Sequence, residues 1–260
     1  MIAANLRVIA SLGARSVKQT LRRPQLLSPI IIFPTLLLAV QTGGAGRAID
    51  LPQFPQVHGF LDFMLAGAML QSVLLAANSG GIALAVDIEM GFTDRLLAAP
   101  VPRFAIVLGR LAGTAVLGAL SAVWFLAIGL AFGAHIEQGV VGALLVIALV
   151  TASAVAFGGI GAAIALRTGK ASVVQGLFPL VFVILFLSSA FFPEQLILEP
   201  ARAVAQVNPL SLIAEGVRDP VISSLTLSNL WQAAAAIAGV AAFSTWLSAR
   251  ALRYRLRTGG

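Results

Sequence analysis

Long apolar stretches alternate with short polar segments along this 260-residue chain. Most of these stretches reach or exceed the roughly 20 residues that an α-helix needs to cross the hydrocarbon core of a membrane. The pattern predicts an all-α membrane protein with six transmembrane helices in a single domain, residues 1–260. The predicted spans cover about residues 26–40, 60–86, 104–132, 140–166, 172–192 and 230–249. Pro29 and Pro34 fall inside the first span, where neighbouring helices must satisfy the freed carbonyl groups.

The first 23 residues have a different pattern, in which apolar residues recur about once per helical turn between basic ones. Leu6, Ile9, Leu12 and Val17 form the apolar set. This spacing is typical of an amphipathic helix that lies along a membrane surface. A solvated basic leader is the alternative interpretation. The segment has no long apolar core before a small-residue cleavage site, so we do not interpret it as a signal peptide.

Composition supports a membrane protein, because 59% of the residues are hydrophobic and only 10% are charged. Soluble domains carry about 25% charged residues. The chain has no cysteine, which excludes disulfides and thiolate metal sites. The two histidines, His58 and His135, lie far apart in the sequence, in predicted loops. We therefore expect no metal site.

The distribution of basic residues predicts the orientation. With the N-terminus inside, the outer segments hold only Arg47, Arg202 and Arg218, and most of the 17 Lys and Arg residues lie inside. Cytoplasmic segments are expected to be rich in Lys and Arg. We therefore expect both termini on the cytoplasmic side.

Few residues within the spans could carry chemistry. Asp62, Gln71, Asn78 and Gln175 are the strongly polar ones, and isolated amides more often join helices than catalyse a reaction. Clustered ionisable groups, which an intramembrane enzyme or a proton-coupled transporter requires, are not found. The chain also has no phosphate-binding loop of the form GxxxxGK[ST]. Any ATP that drives this protein must bind to another chain.

One charged segment, residues 87–110, follows the second span on the predicted cytoplasmic side. Its acidic and arginine residues flank apolar ones, which suits a short helix that docks into a groove on a soluble partner. Gly91 and Pro100 are expected to bound that helix. A solvated loop with surface ion pairs is an equally acceptable interpretation. The candidate docking residues are Asp87, Glu89, Gly91, Phe92, Asp94, Arg95, Leu96, Leu97, Pro100 and Arg103.

This segment resembles the cytoplasmic signature of type-2 ABC transporter permeases, in particular the daunorubicin-resistance-like drug exporters. The match combines an acidic residue, Gly, an acidic-Arg-Leu-Leu stretch, Pro, Arg and Leu-Gly-Arg, ending at Leu108, Gly109 and Arg110. A second match is Asn208-Pro209-Leu210, followed by residues 215–218. Ser189 and residues 191–193 resemble the pattern that ends the fifth span in that family.

The resemblance implies a bacterial plasma membrane permease that forms a homo- or heterodimer with a second copy. Two copies of an ATP-binding subunit, which holds ATP and Mg²⁺, would dock on a coupling helix within residues 87–102. The permease itself would be neither an enzyme nor a cofactor-binding protein, and its partners would include membrane lipid but no nucleic acid. Residues 193–220 would form an outer re-entrant hairpin. The expected gate residues are Phe191, Phe192, Pro193, Asn208 and Pro209.

For cargo, the low charge of the spans favours a hydrophobic or amphipathic drug, antibiotic or lipid-like compound that is exported. The alternative within the same superfamily is a polysaccharide or teichoic-acid permease, which we expect to line its pathway with aromatic residues. The single Tyr and three Trp residues make such a lining sparse. A secondary transporter or an intramembrane enzyme is the third possibility.

Overall fold

The computed structural model describes residues 2–22, 24–93, 96, 103–222 and 225–258. These residues form α-helices and two short 3₁₀ turns and contain no β-strand. The helices are α1 Ile2–Leu21, α2 Pro24–Ala45, α3 Phe60–Glu89, α4 Arg103–Ala131, α5 Gly139–Thr168, α6 Ala171–Gly176, α7 Phe178–Phe186, α8 Ala201–Val207, α9 Pro209–Ile222 and α10 Leu227–Thr258. Five of them, α2, α3, α4, α5 and α10, are long and apolar enough to cross a membrane. The prediction of a helical membrane protein is therefore confirmed.

Helix α3 is the centre of the bundle. It is almost entirely buried, whereas α2 and α10 each bury only a small part of their apolar surface. It packs against α2, α4, α5, α6 and α9. The outer helices leave large apolar side chains such as Leu36, Val123 and Trp231 exposed. Lipid is the natural solvent for that surface.

Helix α2 shows how proline is accommodated in a membrane helix. Pro34 has no backbone N–H, so the carbonyl group of Ile30, four residues earlier, loses its helical partner. The hydroxyl group of Ser72 on α3 donates a hydrogen bond of 2.8 Å to that oxygen, and Ser72 is fully buried. The neighbouring helix thus supplies the missing donor, as the sequence required.

The fifth predicted span, 172–192, is the one that differs most from the structure. Helix α6 ends at Gly176, and α7 runs only from Phe178 to Phe186. Pro179 cannot donate to the carbonyl group of Gln175, so a continuous helix would lose a hydrogen bond there. Residues 187–193 have left the helix. The other spans lie close to their predicted ranges, although α2 and α10 continue beyond them.

Both terminal helices reach the same end of the bundle, here called the inner end. Arg15 on α1 contacts Phe92 just after α3, and Arg167 at the end of α5 contacts Tyr254 on α10. The opposite end, here called the outer end, holds the connections α2–α3 and α4–α5. This geometry agrees with termini on one side of the membrane; their assignment to the cytoplasm remains a prediction.

Candidate functional site

The first candidate site is a buried charge network at the inner end. Asp87, near the end of α3, accepts a hydrogen bond of 3.3 Å from Arg110 Nη1 on α4, and both side chains are more than 90% buried. Arg110 also donates to Gln19 Oε1 on α1 at 3.0 Å and to the carbonyl oxygen of Gly80 at 3.5 Å. One guanidinium group therefore joins three helices. We call Asp87, Arg110 and Gln19 the inner network.

Close packing of α1 on α4 places Gln19 in this network. A Cβ atom at Gly109 would lie 2.5 Å from Leu12 Cβ, and one at Gly113 would lie 2.5 Å from Ser16 Oγ. These glycines let the two helices approach closely, as we expect for small residues in membrane helices. Ser16 Oγ donates to the carbonyl oxygen of Arg110 at 3.2 Å. Helix α1 is thus packed firmly against the bundle rather than touching lipid alone.

Two further contacts surround the start of the predicted docking segment. Glu89 Oε1 accepts a hydrogen bond of 2.8 Å from the backbone N–H of Ala171, the first residue of α6. The guanidinium carbon of Arg15 lies 3.7 Å from the centre of the Phe92 ring. Gly91 ends α3 in the left-handed conformation, with φ +68°, which favours glycine. The segment therefore leaves the bundle beside α1 and α6.

The docking segment itself is only partly described. Asp94, Arg95, Leu97 and Pro100 lie outside the described residues, and Arg103 begins α4 without a described side chain. Leu96 is half-buried and lines a cavity of about 30 Å³ together with Phe92 and the inner network. Glu89 is exposed, but Asp87 is buried. Asp87 is therefore not available for direct contact with a docked partner.

The second candidate site lies at the outer end, where the chain leaves the helical conformation over residues 187–193. From Ser189 onward, none of the described backbone N–H groups of this stretch makes a helical hydrogen bond. Four polar residues of the 208–218 segment face this stretch, and their spacing of three, four and three residues places them on one side of α9. We call them the α9 stripe. They are Asn208, Ser211, Glu215 and Arg218.

Arg218 makes the largest set of contacts in the α9 stripe. Its side chain is 2% exposed and donates to the carbonyl oxygens of Ser189, Ala190 and Phe63 at 3.0, 3.1 and 3.4 Å. Its Nη1 lies 2.6 Å from Glu215 Oε1, and its guanidinium carbon lies 3.8 Å from the centre of the Phe63 ring. Arg218 was predicted to lie in an outer polar segment, and it lies at the outer end of the bundle. It is nevertheless buried, because α9 packs against α3.

The remaining members of the α9 stripe complete the pairing. Asn208 Nδ2 donates to the carbonyl oxygens of Ile184 and Leu187, and its Oδ1 accepts from the N–H of Leu210. Asn208 thus caps both the end of α7 and the start of α9, with Pro209 at the first helical position. Ser211 Oγ accepts from the N–H of Ser189, whose hydroxyl group donates to Glu215.

The predicted gate residues occupy different environments. Phe191 is 2% exposed and packs on Gly67 of α3, where a Cβ atom would lie 2.6 Å from the carbonyl oxygen of Ala190. Phe192 is 52% exposed, and Pro193 is buried. The segment therefore fixes one phenyl ring in the core and presents the other at the surface.

An apolar groove lies between α3, α5 and the broken pair α6–α7. It has a volume of about 190 Å³. Aliphatic residues such as Leu74, Ile164 and Val181 line it, with Phe157 as its aromatic residue and Asn78 as its amide. Gln71 lies two helical turns before Asn78. It is 1% exposed, and neither of its amide atoms has a partner among the described residues.

The two histidines lie together, contrary to the expectation from their sequence separation. Their ring centres are 5.7 Å apart at the outer end, and His58 Nε2 lies 3.0 Å from Glu137 Oε1. The two rings come together because the loops before α3 and after α4 meet in space. Within the described part of the chain, no group of three or more His, Cys, Asp or Glu residues is placed to hold a metal ion.

Comparison with known proteins identifies the class. Residues 7–222 match the ABC-2 type transporter family, and the chain belongs to that family. It is therefore the permease component of an ABC transporter, a multi-pass protein of the bacterial plasma membrane, and its family implies an ABC ATP-binding subunit as partner. Such permease subunits are transport components rather than catalysts.

A curated relative carries the comparison further. The chain is 27% identical over 200 residues to the daunorubicin resistance ABC transporter permease protein DrrB1 of Streptomyces coeruleorubidus. The match covers 75% of this chain and 68% of the relative. This similarity supports an exporter membrane subunit.

The sequence alone did not indicate that the inner network or the α9 stripe forms a group of contacting residues. Asp87 and Arg110 lie at the two ends of the charged segment, and nothing in their positions along the chain indicates that they pair. The α9 stripe did carry a signal, since its helical spacing is visible in the sequence. That spacing becomes informative only once residues 209–222 are known to be helical.

Proposed function

We propose that this chain is the membrane subunit of an ATP-driven exporter of hydrophobic or amphipathic compounds, such as a drug, an antibiotic or a lipid-like molecule. Two permease copies, alike or different, would form the pathway, and two copies of a separate subunit would bind ATP and Mg²⁺. The observation that carries this proposal is the inner network, in a chain of the ABC-2 family. Arg110 connects α1, α3 and α4 at the point where the docking segment leaves the bundle.

The inner network gives coupling a physical basis. A force on the docking segment acts on the end of α3 and the start of α4. Arg110 holds these two helices together through its hydrogen bonds to Asp87 and Gly80. Buried ion pairs resist separation because either charge alone would be uncompensated in a medium of low polarity. The helices are therefore expected to move as one body when the ATP-binding subunits close.

We further propose that α6 and α7, with residues 187–193, make a sixth crossing and that residues 193–220 form the outer hairpin. Helices α6 and α7 together are only about 24 Å long at 1.5 Å per residue. The hydrocarbon core is about 30 Å thick. An extended chain rises about 3.3 Å per residue, so the unwound stretch can supply the missing length. The α9 stripe supports this arrangement because it satisfies the backbone that unwinding exposes.

The groove beside α6–α7 favours an apolar cargo over a glycan. Carbohydrate sites need polar groups to replace the hydration of hydroxyl groups, since an unpaired buried polar group is costly. Asn78 is the amide among the groove's mostly aliphatic lining residues. This composition supports a cargo with a large apolar surface and a single polar group.

Co-purification with an ABC ATP-binding subunit from the same organism tests the proposal. We expect a stable complex whose ATPase activity in proteoliposomes rises with an amphipathic cation such as daunorubicin. Replacing Glu89 or Arg95 with Ala should abolish the stimulation, whereas Glu137→Ala, at the outer end, should leave it intact. Failure to form a complex, or unchanged stimulation in both inner variants, contradicts the proposal.

A further inference from the structure

A second apolar groove lies on the outside of the bundle at the inner end, between α4 and α10. Its volume is about 330 Å³, which is in the range of small-molecule sites, from about 300 Å³ upward. Val107 and Leu111 of α4 form one wall, and Thr245 and Ala249 of α10 form the other. We call it the α4–α10 groove.

Close contact between α5 and α10 forms the floor of this groove. Ser248 Oγ donates a hydrogen bond of 2.9 Å to the carbonyl oxygen of Gly159, and a Cβ atom at Gly159 would lie 2.5 Å from Ser244 Oγ. Leu108 and Ala249 are exposed at the rim. The groove is therefore a preformed slot that opens sideways, toward the position of lipid.

An arginine continues the line of the groove toward the inner end. Ala249 and Arg253 are four residues apart, which places them on one face of α10. Arg253 is exposed, and its Nε donates to the carbonyl oxygen of Ala249 at 3.4 Å. The sequence from 220 to 260 contains no Asp or Glu. An anion that approaches this face meets no acidic residue on α10.

We propose that the α4–α10 groove binds an anionic phospholipid of the inner leaflet. An acyl chain occupies the apolar slot, and the phosphate group lies against Arg253 at its inner end. Arginine is suited to this role because its planar guanidinium group pairs with phosphate through two hydrogen bonds. The proposal does not depend on the ATP-binding subunit or on the cargo.

Charge distinguishes this occupant from a second copy of the chain. The net charge of the chain is +7, and α1, which is also at the inner end, contains Arg7, Arg15 and Lys18 but no acidic residue. A symmetric partner would bring the same cations to the same depth. Like charges facing each other would be unfavourable. An anionic lipid neutralises them instead.

Native mass spectrometry of the purified permease tests the proposal. The probes are dioleoyl phosphatidylglycerol and, as the uncharged comparison, dioleoyl phosphatidylcholine. We expect phosphatidylglycerol to bind at least ten-fold more tightly. The Arg253→Gln variant should lose most of that preference. The matched control is Arg250→Gln. Arg250 is also an exposed arginine of α10, but it lies over the Trp246 ring. This variant should keep the preference.

A second pair of variants tests the slot rather than the charge. Ala249→Phe should fill the groove and displace bound phosphatidylglycerol, whereas Ala242→Phe, also exposed on α10 but outside the groove, should not. Equal lipid binding in all four variants overturns the proposal. Loss of a permease dimer in Ala249→Phe, without a change in bound lipid, also overturns it and identifies the occupant as a second copy.

Discussion

The inner network and the α9 stripe each contain a buried arginine, but the two arginines satisfy different partners. Arg110 pairs with Asp87, a carboxylate that is itself buried and belongs to another helix. Arg218 pairs with Glu215, which is on its own helix and 42% exposed, and it gives its other hydrogen bonds to three backbone carbonyl groups. The first joins helices through side chains; the second holds an unwound backbone in place.

This difference separates two structural tasks. A pair between regular helices fixes their relative position, which is what force transmission requires. A cation that faces free carbonyl groups fixes the shape of a non-helical segment, which could not otherwise exist inside a membrane. Under the proposed function, the inner end would carry motion and the outer end would shape the exit.

Replacing Arg218 with Leu should have the largest effect. Three buried carbonyl groups lose a donor, at about 1–3 kcal/mol each, so we expect a loss of several kcal/mol in the free energy of unfolding. The measurement is the midpoint of thermal unfolding in detergent, followed by size-exclusion chromatography. Arg202→Leu, which removes a half-exposed ion pair with Glu194, should change it little.

The conservative variant Arg218→Lys keeps the outer-end prediction testable if the leucine variant does not fold. An ammonium group keeps the charge but cannot reach several separated carbonyl oxygens in the planar geometry of arginine. We expect an intermediate midpoint and reduced transport. Unfolding at the wild-type temperature in both variants would show that the α9 stripe does not hold the unwound segment.

A double-mutant cycle at Asp87 and Arg110 should give the next largest effect. Each single Leu substitution leaves the other buried charge without this counter-ion, which costs about 3–5 kcal/mol. The double variant should recover much of that loss, because two apolar side chains replace the pair. Thermal midpoints of the four proteins give the coupling. Additive single effects would mean that the two side chains do not act as a pair.

Gly67→Ala tests the contact that positions Phe191. The new Cβ atom would collide with the carbonyl oxygen of Ala190, and overpacking costs about 1–3 kcal/mol. Gly44→Ala makes the same change in α2, where nothing lies within 4 Å of the new atom. We expect a lower thermal midpoint for the first variant only. Equal midpoints would place the unwound segment elsewhere.

The smallest effect on stability is expected at Glu89, which is exposed; substitutions at such sites usually stay within about 0.5 kcal/mol. Glu89→Gln keeps an oxygen that can accept the Ala171 N–H but removes the charge. A drop in cargo-stimulated ATPase activity in this variant would favour an electrostatic contact with the ATP-binding subunit. Normal activity in Glu89→Gln together with loss in Glu89→Ala would assign the residue to capping α6 alone.

Five of the six predicted spans fall on helices that are long and apolar enough to cross a membrane, because each is a continuous apolar run that only a helix can satisfy in lipid. The prediction was least accurate at 172–192, where Pro179 and the polar Ser188–Ser189 pair interrupt the run. Family resemblance indicated Asn208, Pro209 and Phe191 as gate residues. Their contacts could not be predicted, because they depend on how α9 packs against α3. Docking residues 94, 95, 97 and 100 remain predictions.

Hydropathy and charge along the chain determined that this protein is helical, that lipid is its solvent and that its basic residues collect at one end. These properties follow from local composition, since each helix satisfies its own backbone. The tertiary structure decided which buried charges meet. Asp87 with Arg110, Ser72 with the Ile30 carbonyl group, and Arg218 with the 189–190 backbone are contacts between distant segments. Hydrophobic periodicity specifies which face of a helix is buried, but only packing specifies what that face touches.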